Sequence, residues 1–295
     1  MPLHFSWTVF TPVFKIFGVV AVGLLFRKYS KLDARPITDV SMRIFVPCLA
    51  FSSIMARRIE LTDFGAMVGS SVFTIAGTAL LALLAFRVFG IRSRGLYLPV
   101  LFVNAANLPF PLVEDIYGAP GLFRGVLYYT AVSALIFSIG IYIVARKADL
   151  MEMVRVPALP AVGLAIAFNF LRIKPPEPIM EVVDLMGQAA IPLILFILGY
   201  SLYSVRVTQL GATVLASVLR IGGGLAMGIL SIRLFGIEGL NREIVLIYSI
   251  MPSAVVNVII SKKYEADSEL VASTVLLTTT VSLITIPLML AYLGK

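Results

Sequence analysis

Asn104, Asn107, Pro109, Pro111, Glu114 and Asp115 all fall within FVNAANLPFPLVEDIYG, residues 102–118, in a chain that is otherwise almost continuous hydrocarbon. Amide side chains can donate to an anion or take up backbone groups that lack partners. Proline removes a backbone donor and clashes with the turn before it, so a helix is interrupted there. A second stretch, SIMPSAVVNVIISKKYE, residues 249–265, repeats the composition with Pro252, Ser253 and Asn257 inside an apolar run. Carbonyls freed in lipid are costly unless they line a cavity within protein. A helix that restarts after such a break offers free N–H groups and the positive end of its dipole, which suits a carboxylate. The chemistry these residues suggest is recognition of a small anion through Asn104, Asn107, Ser253 and Asn257, with Pro109, Pro111 and Pro252 shaping the crossing. A proline kink with capping asparagines is the plainer reading of either stretch alone.

The elements that position them must be membrane helices. Of the 295 residues 59% are hydrophobic and 14% charged, and the mean hydropathy is +0.99. A soluble domain carries roughly 25% charged residues. A span needs about 20 apolar residues, so there is room for about ten. Hydropathy predicts spans near 7–26, 38–56, 64–89, 95–117, 121–145, 157–172, 178–204, 209–235, 240–261 and 267–293. The first is followed by RKYSKLDAR with no small-residue cleavage pattern, and reads as a helix rather than a removed signal peptide.

The net charge of +8 sits in the links, which reads as topology signal and lipid contact rather than nucleic-acid binding. Alternate links carry thirteen basic residues in one set, from Arg27 to Lys263, and eight in the other, from Arg57 to Lys295. The richer set is expected in the cytoplasm. That leaves both termini outside the plasma membrane.

Two halves are similar. RVFGIRSRG at 87–95 matches RLFGIEGLN at 233–241 at a shift of 146, Pro47 matches Pro192 at 145, and Tyr117 matches Tyr264 at 147. Spans one to five, residues 1–150, then recur as spans six to ten, residues 151–295. Five is odd, so the second copy is inverted, as in many secondary transporters. The same shift lays one broken span on the other.

Few charges lie deep. Lys15, Arg43 and Arg220 are the basic ones. Arginine matches carboxylate geometry. Arg220 reads equally as a substrate ligand or as a tie to helix-end carbonyls; Arg43 reads more readily as a snorkelling side chain. Glu114 and Asp115 read as a coupling-proton site or, more readily, as the edge of a wet vestibule. Gln188 is a further candidate substrate ligand, and Gln188, Asn107, Asn257 and backbone carbonyls are candidate sodium ligands. The coupling ion, proton or sodium, is left open; with no acid at the breaks, uniport-like export is expected. Residues 273–285, rich in Ser and Thr, and Gly222–Gly224 read as helix-packing features. One cysteine, Cys48, excludes an internal disulfide, and one histidine, His4, a histidine metal site. No cofactor is expected. No catalytic set stands out, so an intramembrane hydrolase is the alternative from another class and a channel of the same fold a nearer one.

NLPFPLVEDIYG and MPSAVVNVIISKKYEADSELVASTVLLTTTVSLITIPLML resemble the auxin efflux carrier family, and the likeness runs over essentially the whole chain. The resemblance implies an all-α fold of ten helices in two inverted repeats, crossing at Pro109/Pro111 and Pro252. It implies a scaffold of spans one, two, six and seven, a transport domain of the rest, and a homodimer through the scaffold. Members export or exchange organic anions, auxin in plants and malate, malonate and similar acids in bacteria. The long hydrophilic centre of plant members is reduced here to RKADLMEMVRV, residues 146–156, which looks prokaryotic and speaks against auxin as the natural substrate. A sodium- or proton-coupled symporter of the bile-acid-transporter type is the related alternative.

Overall fold

A computed structural model describes residues 7–30, 32–145, 157–203 and 205–295. His4, Lys31 and the link bearing Arg146, Lys147 and Arg155 lie outside the described residues. The rest is helical: α1 (Trp7–Tyr29), α2 (Arg35–Met55), α3 (Leu61–Val88), α4 (Tyr97–Leu101), α5 (Pro109–Tyr117), α6 (Ala119–Ala145), α7 (Ala158–Leu171), α8 (Glu177–Leu202), α9 (Leu210–Phe235), α10 (Gly239–Ser249), α11 (Val256–Lys263) and α12 (Ser268–Tyr292). Among the described residues the only β pairing is one isolated antiparallel bridge. Among the described residues six helices, α2, α3, α6, α8, α9 and α12, are long and apolar enough to cross a membrane. At about 1.5 Å per residue, the 28 residues of α3 reach about 42 Å, beyond the hydrocarbon thickness of roughly 30 Å.

Helix ends fall where the sequence supplies stops and starts. Proline occupies the first turn of α2, α5, α6 and α8, where its missing N–H has no helical partner to lose. Gly236 ends α9 with φ +60°, a conformation open to glycine. The helical elements begin and end within about three residues of the expected span limits.

Two packing groups are visible. In one, α8 lies along α1 and α2, and α7 lies along α2. Helices approach in lipid through small residues rather than hydrophobic expulsion. Gly23 of α1 sits against the Phe196 carbonyl, and Gly199 of α8 against the Val20 carbonyl, so neither place admits a methyl group. In the other group α3 packs on α6 and α9, α5 on α6, and α12 on α9 and α11. A half-buried ring of polar groups joins α3, α6 and α10: Arg124 contacts Asp63 at 2.7 Å and donates to Asn241 at 2.6 Å, and Asn241 donates to Asp63 at 2.8 Å.

Three helices contain a π turn, at Ser41–Phe45 in α2, Ile136–Gly140 in α6 and Leu219–Gly223 in α9. Each lies beside the point where the two broken stretches meet.

Candidate functional site

The stretches 102–108 and 250–255 leave helical geometry and pair with each other. Val103 faces Ser253 in the antiparallel bridge. Asn104 N donates to the Pro252 carbonyl at 2.7 Å, and Ala254 N donates to the Phe102 carbonyl at 3.2 Å. Asn257 Nδ2 donates to the Phe102 carbonyl and to Ser253 Oγ, each at 2.9 Å. Thr278 of α12 accepts from Ser253 N at 3.2 Å. Extended backbone survives here because the other break satisfies it.

The carbonyl ends of α4 and α10 converge on Arg220. Its Nη1 donates to the carbonyls of Val100 at 3.0 Å and Leu101 at 3.2 Å, and its Nη2 to that of Ser249 at 3.2 Å. The residue is 1% exposed. One guanidinium thus meets the negative poles of two helices. Close approach needs glycine: a methyl at Gly224 would overlap Arg220 and the Ser249 carbonyl, and one at Gly228 would overlap the Ser249 side chain.

The other two ends, the starts of α5 and α11, border a cavity of about 340 Å³. Neither start has a side-chain cap. On the α5 side, backbone donors are nearly used up. Pro109 and Pro111 have none, Phe110 N donates to the Ala106 carbonyl, and Asn107 N donates to Asn104 Oδ1 at 2.9 Å. Asn104 Nδ2, in a residue 3% exposed, has no partner and lies in the cavity wall. The remaining wall comes from both packing groups, with Thr38, Asp39 and Arg43 from α2, Tyr129 and Ser133 from α6, and Ser201 from α8. The site can therefore offer an amide donor, a guanidinium, hydroxyls and two positive helix ends to one small ligand.

The sequence matches the family described as "Membrane transport protein" over residues 8–149 and 142–290. The chain belongs to that family, the auxin efflux carrier family of transporters. An uncharacterized transporter of Methanocaldococcus jannaschii is 30% identical over 205 residues, covering 66% of this chain and 66% of its own length, so the chain spans just under two thirds of that relative. An uncharacterized transporter of Methanothermobacter thermautotrophicus is 26% identical over 295 residues, covering 94% of this chain and 95% of its own.

Within this transporter the expected residues separate. Asn104, Asn107 and Arg43 line the cavity. Ser253 and Asn257 are fully buried in the pairing of the breaks and are not among the lining residues. Arg220 serves the helix-end carbonyls. Gln188 is exposed on α8, away from the cavity. Glu114 and Asp115 are exposed near the far end of α5, and Asp115 pairs with Lys15 at 2.8 Å. Pro109 and Pro111 are buried in the first turn of α5, starting a helix rather than distorting one, while Pro252 lies in the extended segment. Tyr129, Ser133, Thr38 and Asp39 were not foreseen. They stand on the same helices as two π turns, of which the one in α2 holds the lining residues Met42 and Arg43 and the one in α6 holds Ile136 and Phe137.

Proposed function

We propose that this membrane transport protein is a secondary carrier of small organic anions that works by alternating access. The observation that carries the reading is the unpartnered amide of Asn104, buried in the cavity wall between the positive ends of α5 and α11. In this reading α1, α2, α7 and α8 form a scaffold and, through it, a homodimer; the other helices form the moving domain. The cavity lies between the two groups, where alternating access requires it. α4 with α5, and α10 with α11, each complete a crossing, so that with α1 and α7 there are ten.

The cavity reaches Thr38, Pro157 and Ser201, near the links of the basic-rich set. With thirteen basic residues against eight, that side is placed in the cytoplasm, the termini outside, and the present state opens inward. A sodium ion would need carbonyl oxygens at the crossing, and those at the helix ends are held by Arg220. This favours uniport of an anion, which a negative-inside potential drives outward by about 2.3 kcal/mol per 100 mV.

Proteoliposomes loaded with labelled mono- and dicarboxylates test this under imposed voltage, pH and sodium gradients. Saturable counterflow and voltage-driven efflux without sodium are expected. Strict sodium dependence would favour a symporter of the bile-acid-transporter type instead. Flux that never saturates would favour a channel, and cleavage of the substrate an enzyme.

A further inference from the structure

We propose that α2, α7 and α8 together form a binding site for an anionic phospholipid, separate from the substrate cavity. At the C-terminal ends of α2 and α7 an open cavity of about 460 Å³ is lined by Arg57, Arg58, Arg172 and Lys174. Among the described residues none of the four has an ion-pair partner. They account for half of the eight basic residues on their side of the membrane. Like charges gathered without counter-charge repel, so the cluster gains when an anion enters.

The backbone beneath it is held by one side chain. Asn169 Nδ2 donates to the carbonyls of Ile54 at 2.9 Å and Arg57 at 2.6 Å, and its Oδ1 accepts from Ile59 N at 2.9 Å. Arg172 then ends α7 in the left-handed region, φ +58°. The chain turns back there, and Ile173 and Lys174 follow.

The second observation is what adjoins the cluster. A groove of about 570 Å³ runs along the outer, apolar surface of the same helices, with Leu164 and Ile179 exposed, and shares Phe168, Ile173 and Lys174 with the basic cavity. Its walls are apolar, among them Phe51, Leu164, Ile179 and Val183. Basic pocket and apolar groove form one trough, charged where the helices end and greasy below. That is the shape and polarity of a phospholipid, with its phosphate among the cations and an acyl chain along the groove. Free phosphate would leave the groove empty. A second copy of the chain, docked by two-fold symmetry on this same patch, would set four cations against four.

The test uses the purified full chain in neutral detergent, with phosphatidylglycerol, phosphatidylcholine and inorganic phosphate as probes read by native mass spectrometry. Phosphatidylglycerol is expected to bind in preference to phosphatidylcholine. Arg57→Gln with Arg172→Gln is expected to weaken it by about ten-fold or more while leaving phosphatidylcholine unchanged. Leu164→Trp, which fills the groove, is expected to weaken both lipids; Val183→Trp on the facing wall replaces it if that variant does not fold. Equal binding of the two lipids to the wild type would overturn the proposal. So would displacement of phosphatidylglycerol by phosphate at equal concentration, or a groove variant that changes only the dimer fraction.

Discussion

The crossing of the two breaks has two poles, and the protein treats them oppositely. The carbonyl ends of α4 and α10 are closed by Arg220, a full positive charge held by three carbonyls in a dry interior. The N-terminal ends of α5 and α11 have no side-chain cap and border the cavity instead. Each helix end carries roughly half an elementary charge. The open pole adds partial positive charge to a wall that already holds Arg43 and Asp39. Prolines sharpen the difference, because Pro109 and Pro111 remove donors at the open pole, where the unpartnered amide of Asn104 is buried in the wall beside Thr38, Arg43, Tyr129 and Ser133.

The largest effect should come from undoing the closed pole. Arg220→Leu removes three hydrogen bonds from a charged donor, each worth about 1.5–3 kcal/mol, and leaves carbonyls of two helices facing a dry interior. The thermal midpoint in detergent should fall steeply and transport should be lost. Arg220→Lys keeps the charge without the planar fork that reaches both helices, so its midpoint should lie between. A leucine variant with normal midpoint and flux would show that the poles need no compensation, and the contrast would collapse.

Next in size is the contrast between Asn104 and Asn257, two asparagines that look alike in sequence. Asn104→Asp keeps the oxygen that accepts from Asn107 N and replaces the unpartnered donor in the cavity wall with an acceptor. Losing a donor to a carboxylate costs up to about 3 kcal/mol, and the new charge adds repulsion, so anion affinity should fall about a hundred-fold or more. Asn257→Ala instead removes the tie to the Phe102 carbonyl and Ser253. It should cost about 1–3 kcal/mol of stability, with a smaller change in affinity. Equilibrium binding and thermal midpoints on both variants separate the roles. Unchanged affinity in Asn104→Asp would remove the substrate from this cavity.

What the sequence could and could not disclose follows from the same residues. Helix limits were legible because proline, glycine and charge interrupt an apolar chain. The breaks were legible because proline and asparagine are rare enough there to stand out. Direction within a helix was not. Where nearly every position is apolar, periodicity does not separate the lipid face from the protein face. So Gln188 could be expected in the site although it lies exposed on α8, and the two readings of Arg220 stayed balanced until its carbonyl partners were seen. The π turns left no mark in composition, yet they set the facing of Arg43, Ile136 and Arg220. The Asp63–Arg124–Asn241 ring was hidden for another reason: its members stand at three separate span starts and read as boundary charges.

The smallest effect concerns the side of the crossing away from the cavity. Lys15 of α1 meets Asp115 of α5 at 2.8 Å, so this ion pair spans the two packing groups. If those groups move against each other, the pair must break each time the carrier turns outward. With the side chains 61% and 33% exposed, it is worth at most about 1 kcal/mol, a population shift of about five-fold. Lys15→Met should therefore lower the labelling rate of a single cysteine placed at Ser133, in Cys48→Ala protein, by up to about five-fold from the inward side. Surface pairs are screened by salt, so high salt should mimic the variant in the wild type and add nothing to the variant itself. Exchange of the two charges, Lys15→Asp with Asp115→Lys, should restore the wild-type rate. If Lys15→Met labels as fast as the wild type and the rate still responds to salt, the pair does not bias the cycle, and closure of that side rests on helix packing alone.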